Sequence, residues 1–230
     1  HYFYRYFSVC LLMLFTACHN KTGDASVIMT INVVDYQEDN FDWKSMFGNN
    51  LHLVELSDTS KEYSFTEISK LVFKKDKFYI SDWRTRRIIV FDLNGNPEFV
   101  LNRRGRGPGE YLQVTDFDVD NDGDLWILDG QKNAVTHYSS EGKSLSQRST
   151  GDCQYSHIAY SDGNLLLSVA YWDKTENSEY KAVAADTNLN VTSRYGRIPE
   201  FRDPDFMFPS VGFSKIGDVL MYNNPFDDYV

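Results

Sequence analysis

A chain of 230 residues, 42% of them apolar and 15% aromatic, has the hydrophobic material for a sizeable core. Its 23 basic and 33 acidic residues leave a formal charge of −10, which argues against nucleic acid or an anionic membrane surface as the main partner.

Residues 1–17 read as a secretory signal peptide: Arg5 is their only charge, and Phe7–Phe15 is an apolar run too short to span a bilayer. Leu14-Phe-Thr-Ala-Cys18 looks like a bacterial lipobox, so cleavage is expected before Cys18, whose sulfur would carry a membrane anchor. With Cys10 in the leader and Cys18 lipidated, Cys153 is left alone and no intramolecular disulfide is expected. Residues 18–50 then form a polar tether and an acidic, irregular stretch in which Val27–Asp35 alternates weakly as a strand.

The domain is expected to fill residues 51–230. Leu51–Leu56 is a stray strand that would complete a blade at the other end of the fold and so remove an exposed edge. After it the chain repeats. Apolar and polar residues alternate on both sides of Asn121-Asp122-Gly123, the pattern of two half-buried strands joined by a tight turn. Leu71–Asp82, His157–Ala170 and Gly212–Asn223 share that pattern, and Asp92-Leu-Asn-Gly95 recurs in phase as Ser139-Ser-Glu-Gly142 and again from Asp186. A repeat near 47 residues that holds four short strands indicates propeller blades rather than a single sandwich.

The fold class is therefore all-β: a β-propeller of four-stranded antiparallel blades. The first blade is predicted as Ile68–Phe73, Phe78–Asp82, Ile88–Asp92 and Pro97–Asn102. The second is Asp116–Asp120, Leu125–Asp129, Val135–Tyr138 and Ser144–Ser149. The third is Ser156–Tyr160, Leu165–Tyr171, Tyr180–Asp186 and Val191–Tyr195, and after a proline-bearing insertion, Gly196–Pro209, a fourth starts at Val211. About three and a half blades do not close a ring, so the sequence reads as part of a longer protein.

Four features suggest chemistry. Asp118, Asp120, Asp122 and Asp129, with Gly123, meet much of the twelve-residue calcium-loop pattern, yet strands flank them where helices are needed, and a hairpin turn is the expected role. Asp82, Asp129 and Asp92 fall at strand ends in equivalent places, which points to capping of turn N–H groups. The innermost strands place Lys70, Asp116, Ser156 and Ser210 in corresponding positions with His157 adjacent, neither a metal cluster nor a carboxylate dyad. Finally, the glycine-rich run 103–111 joins blades one and two. It would hold Arg103, Arg104 and Arg106 either towards an anion or, more plainly, in a compact turn with Glu110 paired to an arginine. Arg84, Arg86 and Arg87 in the adjacent turn would extend a positive rim.

Arg103-Arg-Gly-Arg-Gly-Pro-Gly-Glu-Tyr111, with Tyr79-Ile-Ser-Asp82, Val90-Phe-Asp-Leu-Asn-Gly95 and the ending Met221-Tyr-Asn-Asn-Pro-Phe-Asp-Asp-Tyr229, resembles the six-bladed TolB-like propeller lipoproteins of Bacteroidetes, whose repeats are NHL-like. The resemblance implies a six-bladed fold and a place in the cell envelope, with no settled activity. The resulting expectation is an envelope-anchored, non-catalytic module, lipid-held at the outer membrane facing the periplasm, that binds a protein, peptide or glycan without a cofactor. The alternative is a metal-dependent propeller hydrolase or lyase, lactonase-like or acting on carbohydrate, whose channel site is completed by further blades.

Overall fold

The structure is a computed structural model that describes residues 54–56, 60–198, 212–216 and 219–222. The signal peptide, Cys18, the strand at Val27–Asp35, Leu51–Leu53 and Ser210 lie outside these residues. Val54–Leu56, the described end of the stray strand, is not extended into a sheet.

Three four-stranded antiparallel meanders follow one another. Ile68–Lys74 (β1), Lys77–Asp82 (β2), Arg87–Asp92 (β3) and Pro97–Leu101 (β4) form the first. Asp116–Val119 (β5), Leu125–Asp129 (β6), Ala134–Tyr138 (β7) and Ser144–Ser149 (β8) form the second. Tyr155–Ser161 (β9), Asn164–Val169 (β10), Tyr180–Ala185 (β11) and Val191–Arg197 (β12) form the third, and Phe213–Ile216 (β13) pairs with Val219–Tyr222 (β14) as the hairpin of a fourth. The repeat predicted these strands to within two residues at each end. The third blade departs from it: β10 stops at Val169, and a turn leads into a 3₁₀ helix over Glu176–Glu179, capped by the Thr175 side chain.

Strands expected to be half-buried around Asn121–Gly123 are buried on both faces. Every residue of β6 is buried, because blades stack on each side of it. Leu125 and Ile127 join Tyr79, Ile88, Val90, Tyr111, Phe117 and Tyr138 in the core between blades one and two. Trp126 and Leu128, pointing the other way, join Tyr155, Ile158, Leu167 and Val183 between blades two and three. On the far face of blade one Ile80, Ile89 and Phe91 pack under Leu56 and Tyr63, while Leu71 and Phe73 of β1 stay about half exposed.

Aspartates lock this frame at repeated positions. Asp82 accepts the Thr66 N–H at 2.8 Å and the Arg84 N–H at 3.0 Å. Asp129 accepts Leu112 N–H at 2.6 Å, Gln131 N–H at 3.0 Å and Lys132 N–H at 3.1 Å. Asp173 repeats the grip on Gln154 N–H at 2.6 Å and Thr175 N–H at 2.9 Å. Each buried carboxylate thus ties the segment entering a blade to the turn after its second strand, satisfying backbone donors that would otherwise be stranded. A second repeated device closes the β3–β4, β7–β8 and β11–β12 turns: Asp92 and Asp186 each take two N–H groups two and four residues on, and the Ser139 hydroxyl stands in for them in blade two. Gly95 turns with φ +83° against the Glu55 carbonyl, where a Cβ would collide with the oxygen.

We predict that Asp129→Asn lowers the unfolding free energy by about 2–3 kcal/mol, since a fully buried acceptor of three N–H groups is lost or halved. Asp122→Asn, at an exposed side chain in the turn at the other end of β6, should change it by less than about 0.5 kcal/mol. Urea denaturation of both variants checks the contrast.

Candidate functional site

The meander sends the β1–β2 and β3–β4 turns to one end of the sheets, and the β2–β3 turns and interblade connections to the other. The second end carries six arginines. Arg84, Arg86 and Arg87 lie in the first β2–β3 turn, and Arg103, Arg104 and Arg106 in the connection to blade two. Arg86 and Arg87 are structural: Arg86 donates to the Leu112 carbonyl at 3.2 Å, and Arg87 to those of Glu62 and Ser64 at 3.0 and 2.9 Å. Arg84 pairs with Glu67 at 3.3 Å, both exposed.

The connection itself is rigid. Gly105 N–H donates to the Tyr111 carbonyl at 2.9 Å and Tyr111 N–H to the Arg103 carbonyl at 3.0 Å. The Tyr138 hydroxyl holds the Gly109 carbonyl at 2.8 Å, and Lys132 Nζ holds those of Gly107 and Glu110 at 2.8 and 2.9 Å. Tyr111 itself is sealed in, and burial pushes its phenol up to about 12. Glu110 was expected to pair with an arginine; instead its carboxylate folds over Gly105 and accepts the Gly107 N–H at 2.7 Å. A side chain at 105 would collide with it, which explains the glycine. Arg103, Arg104 and Arg106 are exposed, and none forms an ion pair among the described residues.

Two tryptophans share this end. Trp83, next to Asp82, and Trp172, next to Asp173, are 59% and 61% exposed in the equivalent turns of blades one and three. Sequence reasoning missed both. The marker was available at position 83, an aromatic directly after a strand-ending aspartate, but Trp172 was hidden by the irregular end of β10.

On the inner strands the sequence register needs correction in blade three. Lys70 pairs with Ser81, Asp116 with Leu128 and His157 with Ser168, so His157, not Ser156, holds the corresponding position. The same irregularity precedes both residues, at Ser69 in blade one and Ser156 in blade three. Ser156 instead meets Ser168, as Ser69 meets Ser81 in blade one. Lys70 Nζ lies 2.8 Å from Asp116 Oδ1, and His157 Nδ1 3.4 Å from Oδ2. Burial pushes the Asp116 carboxyl up, but His157, Lys70 and the Ile158 N–H together outweigh it and hold it below the usual range. Asp118 also faces blade three, taking Tyr160 N–H at 2.7 Å beside the 2.9 Å bond from Ile158 N–H to Asp116. The two carboxylates thereby cover edge donors of β9 that β10 leaves unpaired. Burial raises the Asp118 carboxyl.

These bonds disperse the calcium-loop pattern. Asp118 faces blade three, Asp129 grips Leu112, and Asp120 organises its own turn through Asp122 N–H and Asp124 N–H at 2.9 and 3.0 Å. An apolar cavity of about 220 Å³ lies elsewhere, between blade three and the β13–β14 hairpin, lined by Leu166, Ala182, Tyr195 and Phe213.

Comparison with known proteins places this arrangement. The sequence model of a family described as "6-bladed beta-propeller", DUF5128, matches residues 20–230. No curated protein matches the sequence. Among solved structures, a candidate exported protein of Bacteroides fragilis NCTC 9343 superposes with a TM-score of 0.65 at 22% identity over 76% of this chain. The chain spans 49% of that protein's length, and the likeness shows the fold alone. A DUF4221-family member from Bacteroides vulgatus ATCC 8482 has a TM-score of 0.49 at 12% identity, over 74% of this chain and 61% of its own.

Asp116 supplies a pH test. A carboxyl held below its unfolded value of about 3.9 stabilises the fold above that pH, and the contribution is lost as pH falls through the folded value. Removing the Lys70 ammonium raises the folded value. Lys70→Met is therefore predicted to be less stable by roughly 1–2 kcal/mol at pH 7, allowing for solvent screening. The deficit should shrink as pH drops below about 4, as denaturation at a series of pH values would show.

Proposed function

The chain belongs to the 6-bladed beta-propeller family DUF5128, and from that premise we propose that it is a non-catalytic binding module for a protein, peptide or glycan bearing acidic groups. The observation that carries this reading is the pinned loop that presents Arg103, Arg104 and Arg106 without ion-pair partners among the described residues, on a chain whose net charge is −10. Structural arginines elsewhere at this end are consumed by carbonyls; these three are left to solvent. Planar guanidinium groups suit carboxylate, sulfate or phosphate, and the exposed rings of Trp83 and Trp172 offer flat apolar platforms at the same end of the sheets. The lipobox at Cys18 and the fold shared with a candidate exported protein support an envelope-anchored location, in the outer membrane facing the periplasm.

The second reading, a hydrolase or lyase with a channel site, draws on one observation. Lys70, Asp116 and His157 meet at equivalent inner-strand positions. Asp116, however, spends both oxygens on Lys70, His157 and the N–H groups of Phe117 and Ile158, which leaves no acceptor for substrate or metal.

Binding can be measured by affinity electrophoresis through polygalacturonate, heparin and poly-glutamate gels, with neutral dextran as control. Retardation by at least one acidic polymer is expected, weakening with salt and lost in the Arg103→Ala/Arg104→Ala/Arg106→Ala triple variant, with Trp83→Ala reduced. Equal mobility in all gels, or retardation unchanged by the triple variant, would contradict the proposal.

A further inference from the structure

The end of blade two opposite the arginines holds a cluster that recurs in neither neighbouring blade. Asp120 and Asp124 bracket the β5–β6 turn, and His137 on β7 lies across from Trp126 in the β6–β7 register. The equivalent turns are two residues long in blades one and three, and the equivalents of His137 are Val90 and Ala184. The repeated aspartates are frame; this set is unique.

We propose that Asp120, Asp124 and His137 form a binding site for a divalent transition-metal ion, with zinc as the preferred occupant. One ligand atom from each residue lies within 4.8 Å of the others. His137 Nε2 is 3.3 Å from Asp124 Oδ2 and 3.8 Å from Asp120 Oδ2. Tetrahedral zinc with nitrogen and oxygen ligands holds those atoms roughly 3.3–3.5 Å apart, so small adjustments complete the set. One imidazole and two carboxylates suit zinc or its first-row neighbours. Calcium, which takes six to eight oxygens, has too few here.

The second, independent observation is the imidazole itself. Its Nε2 is shielded from solvent and makes no hydrogen bond, although two carboxylates stand close by. A histidine present only to neutralise those charges would rotate to donate to one of them. This ring is held instead by stacking on Trp126, with centroids 3.9 Å apart and planes within 10°. Both carboxylates are also held in orientation by hydrogen bonds. Trp126 Nε1–H donates to Asp120 Oδ2 at 3.0 Å, and Ser140 N–H to Asp124 Oδ1 at 2.8 Å, leaving Asp124 Oδ2 turned to the histidine. Such outer partners are what fix metal ligands in place. Asp124 and His137 keep about a fifth of their side-chain surface exposed, which gives an ion a way in. Bound there, the metal would staple the inner hairpin of blade two to its third strand.

The test is zinc uptake by the purified protein after chelator treatment and dialysis, read by isothermal titration and elemental analysis, with thermal unfolding alongside. One equivalent of zinc and a higher melting temperature are expected. His137→Gln and Asp124→Asn should each weaken uptake by more than about tenfold, while Asp122→Asn in the same turn binds as the native protein does. Should the ligand variants not fold, cobalt in the unaltered protein reports directly, through a paramagnetically shifted imidazole resonance from the site. No stoichiometric zinc uptake, uptake insensitive to His137→Gln and Asp124→Asn, or a cobalt complex without a shifted imidazole overturns the proposal.

Discussion

A sheet blade has two faces and two edges, and this fold stands on how its edge donors are satisfied. Buried carboxylates do it. Asp82, Asp129 and Asp173 each hold the strand-entry segment of their own blade, while Asp116 and Asp118 reach across to Ile158 and Tyr160 of the next. Covering backbone N–H groups with charge-assisted bonds lets apolar faces close on both sides of strands such as β6. An acidic composition thereby becomes a structural resource. Several carboxylates are engaged inside the frame, while Arg103, Arg104 and Arg106 stay exposed at the arginine-bearing end.

That separation organises function. The aspartates that recur from blade to blade serve the frame, and the arginines divide by what they touch. Arg87 binds carbonyls, whereas Arg103, Arg104 and Arg106 find no ion-pair partner among the described residues and sit on a loop pinned by Glu110, Lys132 and Tyr138. Rigidity matters here, because a loop already ordered has little entropy left to lose when a ligand docks.

The repeat made most of the fold legible. Asp92, Ser139 and Asp186 revealed the phase because a β3–β4 turn needs an acceptor two and four residues ahead of its donors, and few residues can supply it. Register within a blade was less readable. Ser156 was matched to Lys70 because sequence spacing does not show which residue faces the second strand, whereas cross-strand pairing puts His157 opposite Ser168 as Lys70 is opposite Ser81. Asp173 escaped notice since β10 ends early and a 3₁₀ turn lengthens the gap. The Glu110–arginine pair was expected from charge, yet an N–H donor inside the loop lay closer. The cluster of Asp120, Asp124 and His137 depends on cross-strand pairing and on the Trp126 stack, neither of which follows from spacing.

The central claim is that acidic ligands dock at the arginine-bearing end of the propeller and not at the opposite end. Hydrogen–deuterium exchange with and without saturating acidic polysaccharide tests it most directly. The account predicts added protection confined to the Trp83–Arg87 turn, the 103–111 connection and the Trp172–Thr175 turn, with the Asp92–Asn96 and Ser139–Lys143 turns unchanged. Protection centred on those opposite turns, or spread evenly over the blades, would contradict it.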